Sequence, residues 1–127
     1  IREPLMPHVI VQATPNVTIK NPESLLKKLN STLWDTGHFG SPQAIKARLL
    51  NVENFLVGIE DDQQEEGFVY IQLRLMPGRS QEIREDLAEK LHTCLKQELV
   101  EQQSGRVSVQ YCVEVIELTA AYKKEKI

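Results

Sequence analysis

Apolar residues in this chain recur at two different periods, and the periods alternate in one order that occurs twice. Val9, Ile10 and Val11 make a β-branched run within His8 to Ala13, and Thr14, Pro15 and Asn16 close it with turn chemistry. Asn21 then stands before Pro22 and Glu23, a cap, a proline at the first helical position and an early acid. Leu25, Leu26, Leu29 and Leu33 follow at helical spacing, which predicts a helix to about Trp34. Gly37, Gly40 and Pro42 end that pattern. Ile45, Ala47 and Leu49 then alternate with Lys46, Arg48 and Leu50, a second strand with a basic stripe on one face.

The same order returns in the second half. Val69, Ile71, Leu73 and Leu75 alternate with Phe68, Tyr70, Gln72 and Arg74, the period of a strand with two distinct faces. After Pro77-Gly78-Arg79, Ser80 can cap a helix in which Ile83, Leu87, Leu91, Leu95 and Leu99 form one stripe, widened by Ala88 and Cys94. Val107, Val109, Tyr111, Val113 and Val115 alternate against Ser108, Gln110, Cys112 and Glu114 as a fourth strand, ahead of a charged tail, Lys123 to Lys126. The acidic and polar stretch Asp61 to Glu66 reads as a solvated, hairpin-like connection between the halves.

Two βαβ units of similar size suggest an internal duplication. The expected fold is α+β: one four-stranded mixed sheet with both helices on one face. Phe68, Tyr70 and Met76 fall on the face the helices leave open, so association with further copies is the expected way to cover it.

Composition narrows the function classes. A chain of 127 residues with a net charge of −3, and with no aromatic platforms between its lysines and arginines, lacks the footprint of a nucleic-acid binder. No apolar run approaches the roughly 18 residues of a membrane span, so no membrane partner is expected and a cytoplasmic location is the default. Two cysteines suit a reduced compartment, where Cys94 and Cys112 are expected to be free thiols in the core. His8, His38 and His92 lie in three different segments without grouped carboxylates, so no metal site is expected. On helix two, His92 reads as a structural residue. Pro77-Gly78-Arg79-Ser80 is too short for a phosphate loop and by itself is a turn and a cap.

Met6-Pro7-His8 opening a strand, the repeated βαβ order, and Gly78-Arg79-Ser80 between strand three and helix two together resemble the tautomerase superfamily. More closely, the chain is similar to the 5-carboxymethyl-2-hydroxymuconate isomerases. The similarity runs from Met6 to about Leu118 and includes Thr36-Gly37-His38-Phe39. Residues 1–6 are expected to be an extension and residues 7–127 the single domain. The resemblance implies a homotrimer without cofactor whose amino-terminal proline, here Pro7, is the general base. It also implies a carboxylate-binding arginine, here Arg79. A second arginine is implied in strand two, where the aligned position holds Lys46, with Arg48 two residues on and facing the same way. Lysine keeps the charge and loses the fork that grips a carboxylate, so either Lys46 or Arg48 is the second substrate-binding cation.

The implied substrate is a polycarboxylate with a 2-hydroxydiene. Burial and neighbouring cations lower the pKa of a secondary amine toward the working pH, and the same cations hold the substrate. In the sequence as it stands, the Pro7 nitrogen is an amide to Met6 and has no basic lone pair. Two further readings stay open: a tautomerase of the same superfamily acting on another 2-hydroxydienoate or an enolpyruvate, and a non-catalytic ferredoxin-like binding module, which differs in strand order.

Overall fold

A computed structural model describes residues 7–59 and 65–127. The elements run β1 (His8–Ala13), α1 (Pro22–Trp34), a 3-10 turn (Pro42–Ala44), β2 (Lys46–Asn51), β3 (Glu66–Leu75), α2 (Gln81–Leu99), a second 3-10 turn (Val100–Gln102) and β4 (Ser108–Glu117). Both helix starts are those the sequence signals. The Asn21 side chain accepts from the Ser24 amide at 3.0 Å, and the Ser80 hydroxyl accepts from the Ile83 amide at 3.1 Å, each satisfying one otherwise orphaned donor.

The four strands form one sheet in the order β2-β1-β3-β4. β1 pairs with β2 and β3 with β4 in parallel, while β1 and β3 join the two units antiparallel, with His8 opposite Arg74 and Ala13 opposite Val69. Each βαβ unit therefore keeps its two parallel strands as direct neighbours. A ferredoxin-like split unit inserts a third strand between them, and the observed order removes that alternative. It also corrects the hairpin-like connection: β2 and β3 lie on opposite sides of β1 and do not pair. Glu66, expected in the loop, is the first residue of β3, drawn into the parallel ladder opposite Ser108. Asp61, Asp62, Gln63 and Gln64 lie outside the described residues.

The core sits between the sheet and the two helices. Val9 and Val11 of β1 and Val69, Ile71, Leu73 and Leu75 of β3 are fully buried against Leu29 and Leu33 of α1 and Leu87, Leu91, Leu95 and Leu99 of α2. Only the two central strands bury one face completely. Val109, Tyr111, Val113 and Val115 of the edge strand β4 pack against the same core from partly exposed positions. Truncating one of the buried leucines to alanine would cost about 2–5 kcal/mol.

The opposite face of the sheet is more polar than the pattern suggested. Beside Phe68 and Ile10 it carries His8, Arg48, Gln72, Arg74 and Glu114, tied together by side-chain hydrogen bonds. Period-two patterning assigns a face but does not reveal how polar residues on neighbouring strands pair across it. Cys94 is buried in the core as expected, and its burial raises the thiol pKa. Cys112 departs from expectation: it is a free, half-buried thiol on the open face, opposite Tyr70. No helix of the described residues is long and apolar enough to cross a membrane.

Candidate active site

The register brings the starts of β1 and β2 and the ends of β3 and β4 to one end of the sheet. Pro7 is buried there, immediately before β1, and its carbonyl accepts from the Lys46 amide at 3.1 Å. This bond extends the β1–β2 ladder by one step and sets the backbone of Lys46 beside that of Pro7. Of the two candidate second cations, Lys46 is thus the nearer along the strand, since Arg48 pairs with Ile10, farther into the sheet.

Arg79 reaches the same end by another route. β3 stops at Leu75, and Gly78, at φ +117°, turns the chain into α2; this left-handed backbone is one that glycine adopts without a Cβ penalty. The Arg79 guanidinium then turns inward, donating from Nη2 to the His38 carbonyl at 2.7 Å, with its carbon 5.4 Å from the centre of the Phe39 ring. His38 and Phe39 belong to the segment between α1 and β2, so the site end is closed by both halves of the chain. Arg79 Nε is buried without a hydrogen-bond partner, and no ion pair to Arg79 occurs among the described residues. Burial depresses its pKa by opposing the charged form, with no carboxylate to offset it.

Arg84 is a residue that sequence patterning missed. It lies one turn into α2, donates from Nη1 to the Arg79 carbonyl at 2.7 Å and to Glu117 at 3.0 Å, and from Nη2 to Gln81 at 2.8 Å. It fixes the backbone of Arg79 against the end of β4. Only its spacing four residues after the Ser80 cap could have pointed to it.

On the open face, His8 sits between two partners. Arg48 can only donate, so the His8 Nδ1, 3.2 Å from Arg48 Nη1, is the acceptor; the ring proton is then on Nε2, which donates to the Tyr122 hydroxyl at 2.8 Å. Burial, followed by the charges of Lys46, Arg48, Arg74 and Lys124, holds the His8 pKa below its usual value. The imidazole is therefore neutral near pH 7. Tyr122 and Lys124 carried no periodic signal in the tail. His92, read as structural, bonds the Tyr111 carbonyl at 3.0 Å and joins α2 to β4, far from Pro7.

The four sequence-derived residues thus gather at one sheet end in two groups. Pro7 and Arg79 lie toward the core side, while Lys46 and Arg48 lie on the open-face stripe of β2. The largest surface cleft, about 380 Å³ and lined by residues such as Thr32, Asp86 and Thr93, runs between the helices and includes none of them. Among the described residues, no group of three or more histidines, cysteines and carboxylates could hold a metal ion.

Comparison with known proteins agrees with this geometry. A crystal structure of a 5-carboxymethyl-2-hydroxymuconate isomerase from Deinococcus radiodurans R1 superposes with a TM-score of 0.83 at 23% identity, covering 97% of this chain and 90% of that one. A 5-carboxymethyl-2-hydroxymuconate delta-isomerase superposes at 0.72 with 16% identity, covering 98% and 90% of the two chains. A fused 4-OT symmetric trimer superposes at 0.65 with 15% identity, covering 94% and 93%. At these identities the likeness speaks for the fold, which is that of the tautomerase superfamily. No curated protein sequence matches. The sequence profile of the 5-carboxymethyl-2-hydroxymuconate isomerases matches residues 7–127, and the chain belongs to that family of tautomerase-type isomerases.

Proposed function

We propose that the protein isomerises 5-carboxymethyl-2-hydroxymuconate to its 2-oxo-3-ene form, with the Pro7 nitrogen as general base in chains that begin at Pro7. The observation that carries this reading is Arg79, a buried guanidinium with an unused Nε donor and no carboxylate partner, at the sheet end that holds Pro7. A buried cation without a counterion is costly, and a substrate carboxylate would supply both the charge and the missing acceptor.

The chemistry follows from the surroundings of the base. A terminal prolyl nitrogen is a secondary amine, and its burial together with the cations of Arg79 and Lys46 lowers the pKa of its ammonium form toward neutrality. The free amine takes the proton of the substrate 2-hydroxyl. The O–H electron pair becomes the carbonyl π bond, the diene shifts by one position, and the prolyl ammonium returns the proton to carbon at the far end of the former diene. Proton count is unchanged, no redox partner is needed, and no covalent intermediate forms. Cations beside the reacting group stabilise the dienolate oxygen as its charge develops.

Lys46 favours a second substrate reading within the same mechanism. The lysine in place of an expected arginine suits a carboxylate held as a point charge, so another 2-hydroxydienoate or an enolpyruvate is the runner-up. We also propose a homotrimer, supported by the confinement of both helices to one sheet face and by the trimeric state named for the fused 4-OT relative.

The test is isomerisation of 5-carboxymethyl-2-hydroxymuconate, followed by its ultraviolet absorbance, for protein beginning at Pro7 beside protein retaining residues 1–6. Turnover confined to the first is the expected result. Equal turnover in both would overturn the proline mechanism, and turnover in neither would overturn the substrate.

A further inference from the structure

We propose that the carboxyl-terminal tail, fastened by Tyr122 to His8, completes a second anion subsite with Lys46, Arg48 and Arg74 on the open face beside Pro7, and that this subsite takes a second substrate carboxylate. The proposal deepens the substrate reading above and rests on it. 5-Carboxymethyl-2-hydroxymuconate carries three carboxylates, and Arg79 can grip only one or two of them through its fork.

Three observations converge on the subsite. The first is charge. Lys46 and Arg48 from β2, Arg74 from β3 and Lys124 from the tail all act on the His8 ring, and every charged group that does so measurably is a cation. This occurs in a chain whose net charge is −3, so the clustering is local and not a product of composition. Of the nearby carboxylates, Glu114 of β4 is engaged by the Tyr70 hydroxyl, and Glu117 by Arg84 on the far side of the sheet end.

The second is the way the tail is held. The Leu118 amide donates to the Leu75 carbonyl at 2.6 Å, carrying the β3–β4 pairing one residue past the sheet, and the Tyr122 amide donates to the Thr119 carbonyl at 3.2 Å to close a turn. The turn brings the tyrosine ring edge-on to His8, with centroids 5.7 Å apart, and its hydroxyl into the 2.8 Å bond from Nε2. Tyr122 and Lys124 are half-buried, while Lys123, Glu125 and Lys126 are exposed. The tail therefore presents alternate residues to the sheet, and Lys124 is on the side of Tyr122.

The third is His8 itself. As a neutral ring it ties Arg48 on one edge and Tyr122 on the other without adding charge, so it positions two elements that close sequence contacts could not bring together. His8 directly follows Pro7, and Lys46 is bonded through its amide to the Pro7 carbonyl. A carboxylate on this cluster would leave the rest of a polycarboxylate chain at the same sheet end as the base, with Arg79 on the core side to receive another carboxylate. Tyr122 and His8 are positioning residues in this arrangement, and Lys124 and Arg74 determine specificity for the number of charges.

The experiment is a titration of the full chain with propane-1,2,3-tricarboxylate, and separately with butyrate, followed by backbone amide shifts in nuclear magnetic resonance. The wild type is compared with Lys124→Gln, Arg74→Gln, Tyr122→Phe and a double Arg74→Gln/Lys124→Gln variant. Losing one cation is expected to weaken tricarboxylate binding about threefold to tenfold, and the double variant more, with butyrate binding changed less than twofold. Tyr122→Phe retains the ring and removes the hydroxyl, so the expected result is a smaller loss, with shifts of residues 119–127 and His8. Tricarboxylate affinities equal in all variants, or losses equal for the two probes, would overturn the subsite. Failure of the isomerase reading is separate: it would appear as absence of turnover in unsubstituted protein beginning at Pro7, whichever way the titration falls.

Discussion

The duplication leaves the sheet with two comparable ends, each formed by the start of one leading strand beside the end of the other, and the chain has treated them in opposite ways. At one end β1 starts and β3 stops, and there Pro7, Lys46, Arg74 and Arg79 bring several cations together around few carboxylates. At the other end β3 starts and β1 stops, and there the chain is closed by neutral hydrogen bonds. The Asn16 amide donates to the Glu66 carbonyl at 2.7 Å, and the Thr14 hydroxyl donates to Asn16 Oδ1 at 2.7 Å while accepting from the Phe68 amide at 3.0 Å. Gly67 is packed so closely that a Cβ there would lie 2.6 Å from Asn16 Oδ1 and 2.8 Å from Thr14 Oγ1. One end spends its polar groups on itself; the other leaves a buried arginine donor unused. Unsatisfied polarity, more than concavity, separates a site from its structural counterpart here, because the largest cleft lies elsewhere.

This contrast can be broken from either side. The largest effect is expected at the cationic end. In protein beginning at residue 7, Pro7→Ala should lower kcat/KM at least about 100-fold, as loss of a tuned proton-transfer group does. Arg79→Ala should raise KM and lower kcat together, by about 100-fold in their ratio, because the carboxylate is held in both ground and transition states. Steady-state absorbance kinetics checks both, and near-normal rates would remove the site.

At the closed end, the expected losses are of stability. Gly67→Ala should cost about 1–3 kcal/mol in urea unfolding, since Asn16 and Thr14 cannot move away without giving up their hydrogen bonds. Its rate per folded molecule should match wild type. Asn16→Ala should cost about 1–2 kcal/mol by leaving the Glu66 carbonyl without its donor. A fall in activity without a fall in stability in either variant would show that this end is not merely structural.

The smallest effect belongs to His8, whose folded-state pKa lies below that of the unfolded chain. As pH falls through about 6.5, the unfolded chain binds the proton first, so this residue's contribution to stability is present above that pH and is lost below it. His8→Gln should flatten the decline in melting temperature between about pH 6.5 and 5, and an unchanged slope would show that the ring titrates freely.

How far the sequence could be read depended on the range of the interactions concerned. The helix starts at Asn21 and Ser80, the turn at Gly78 and the alternation of β3 rest on neighbours a few residues apart, and they were legible. Arg79 was legible only by resemblance, for within its own segment it is a turn residue. The pairing of polar groups on the open face was not legible, since Tyr70 with Glu114 and His8 with Tyr122 are partners across the sheet and across nearly the whole chain. The same holds for Cys112, whose strand pattern assigned a face but not how deeply that face is covered.

By itself the sequence determined two βαβ units, the leucine stripes that dock both helices on one face, and membership of an isomerase family over residues 7–127. Tertiary structure alone decided that the units meet through β1 and β3, and hence that Pro7, Lys46, Arg79 and Tyr122 share one end of the sheet. Periodicity is local and sets which side of a strand is apolar. The order in which strands pair is a property of the whole packed sheet, where burying β1 and β3 at the centre hides the most apolar surface.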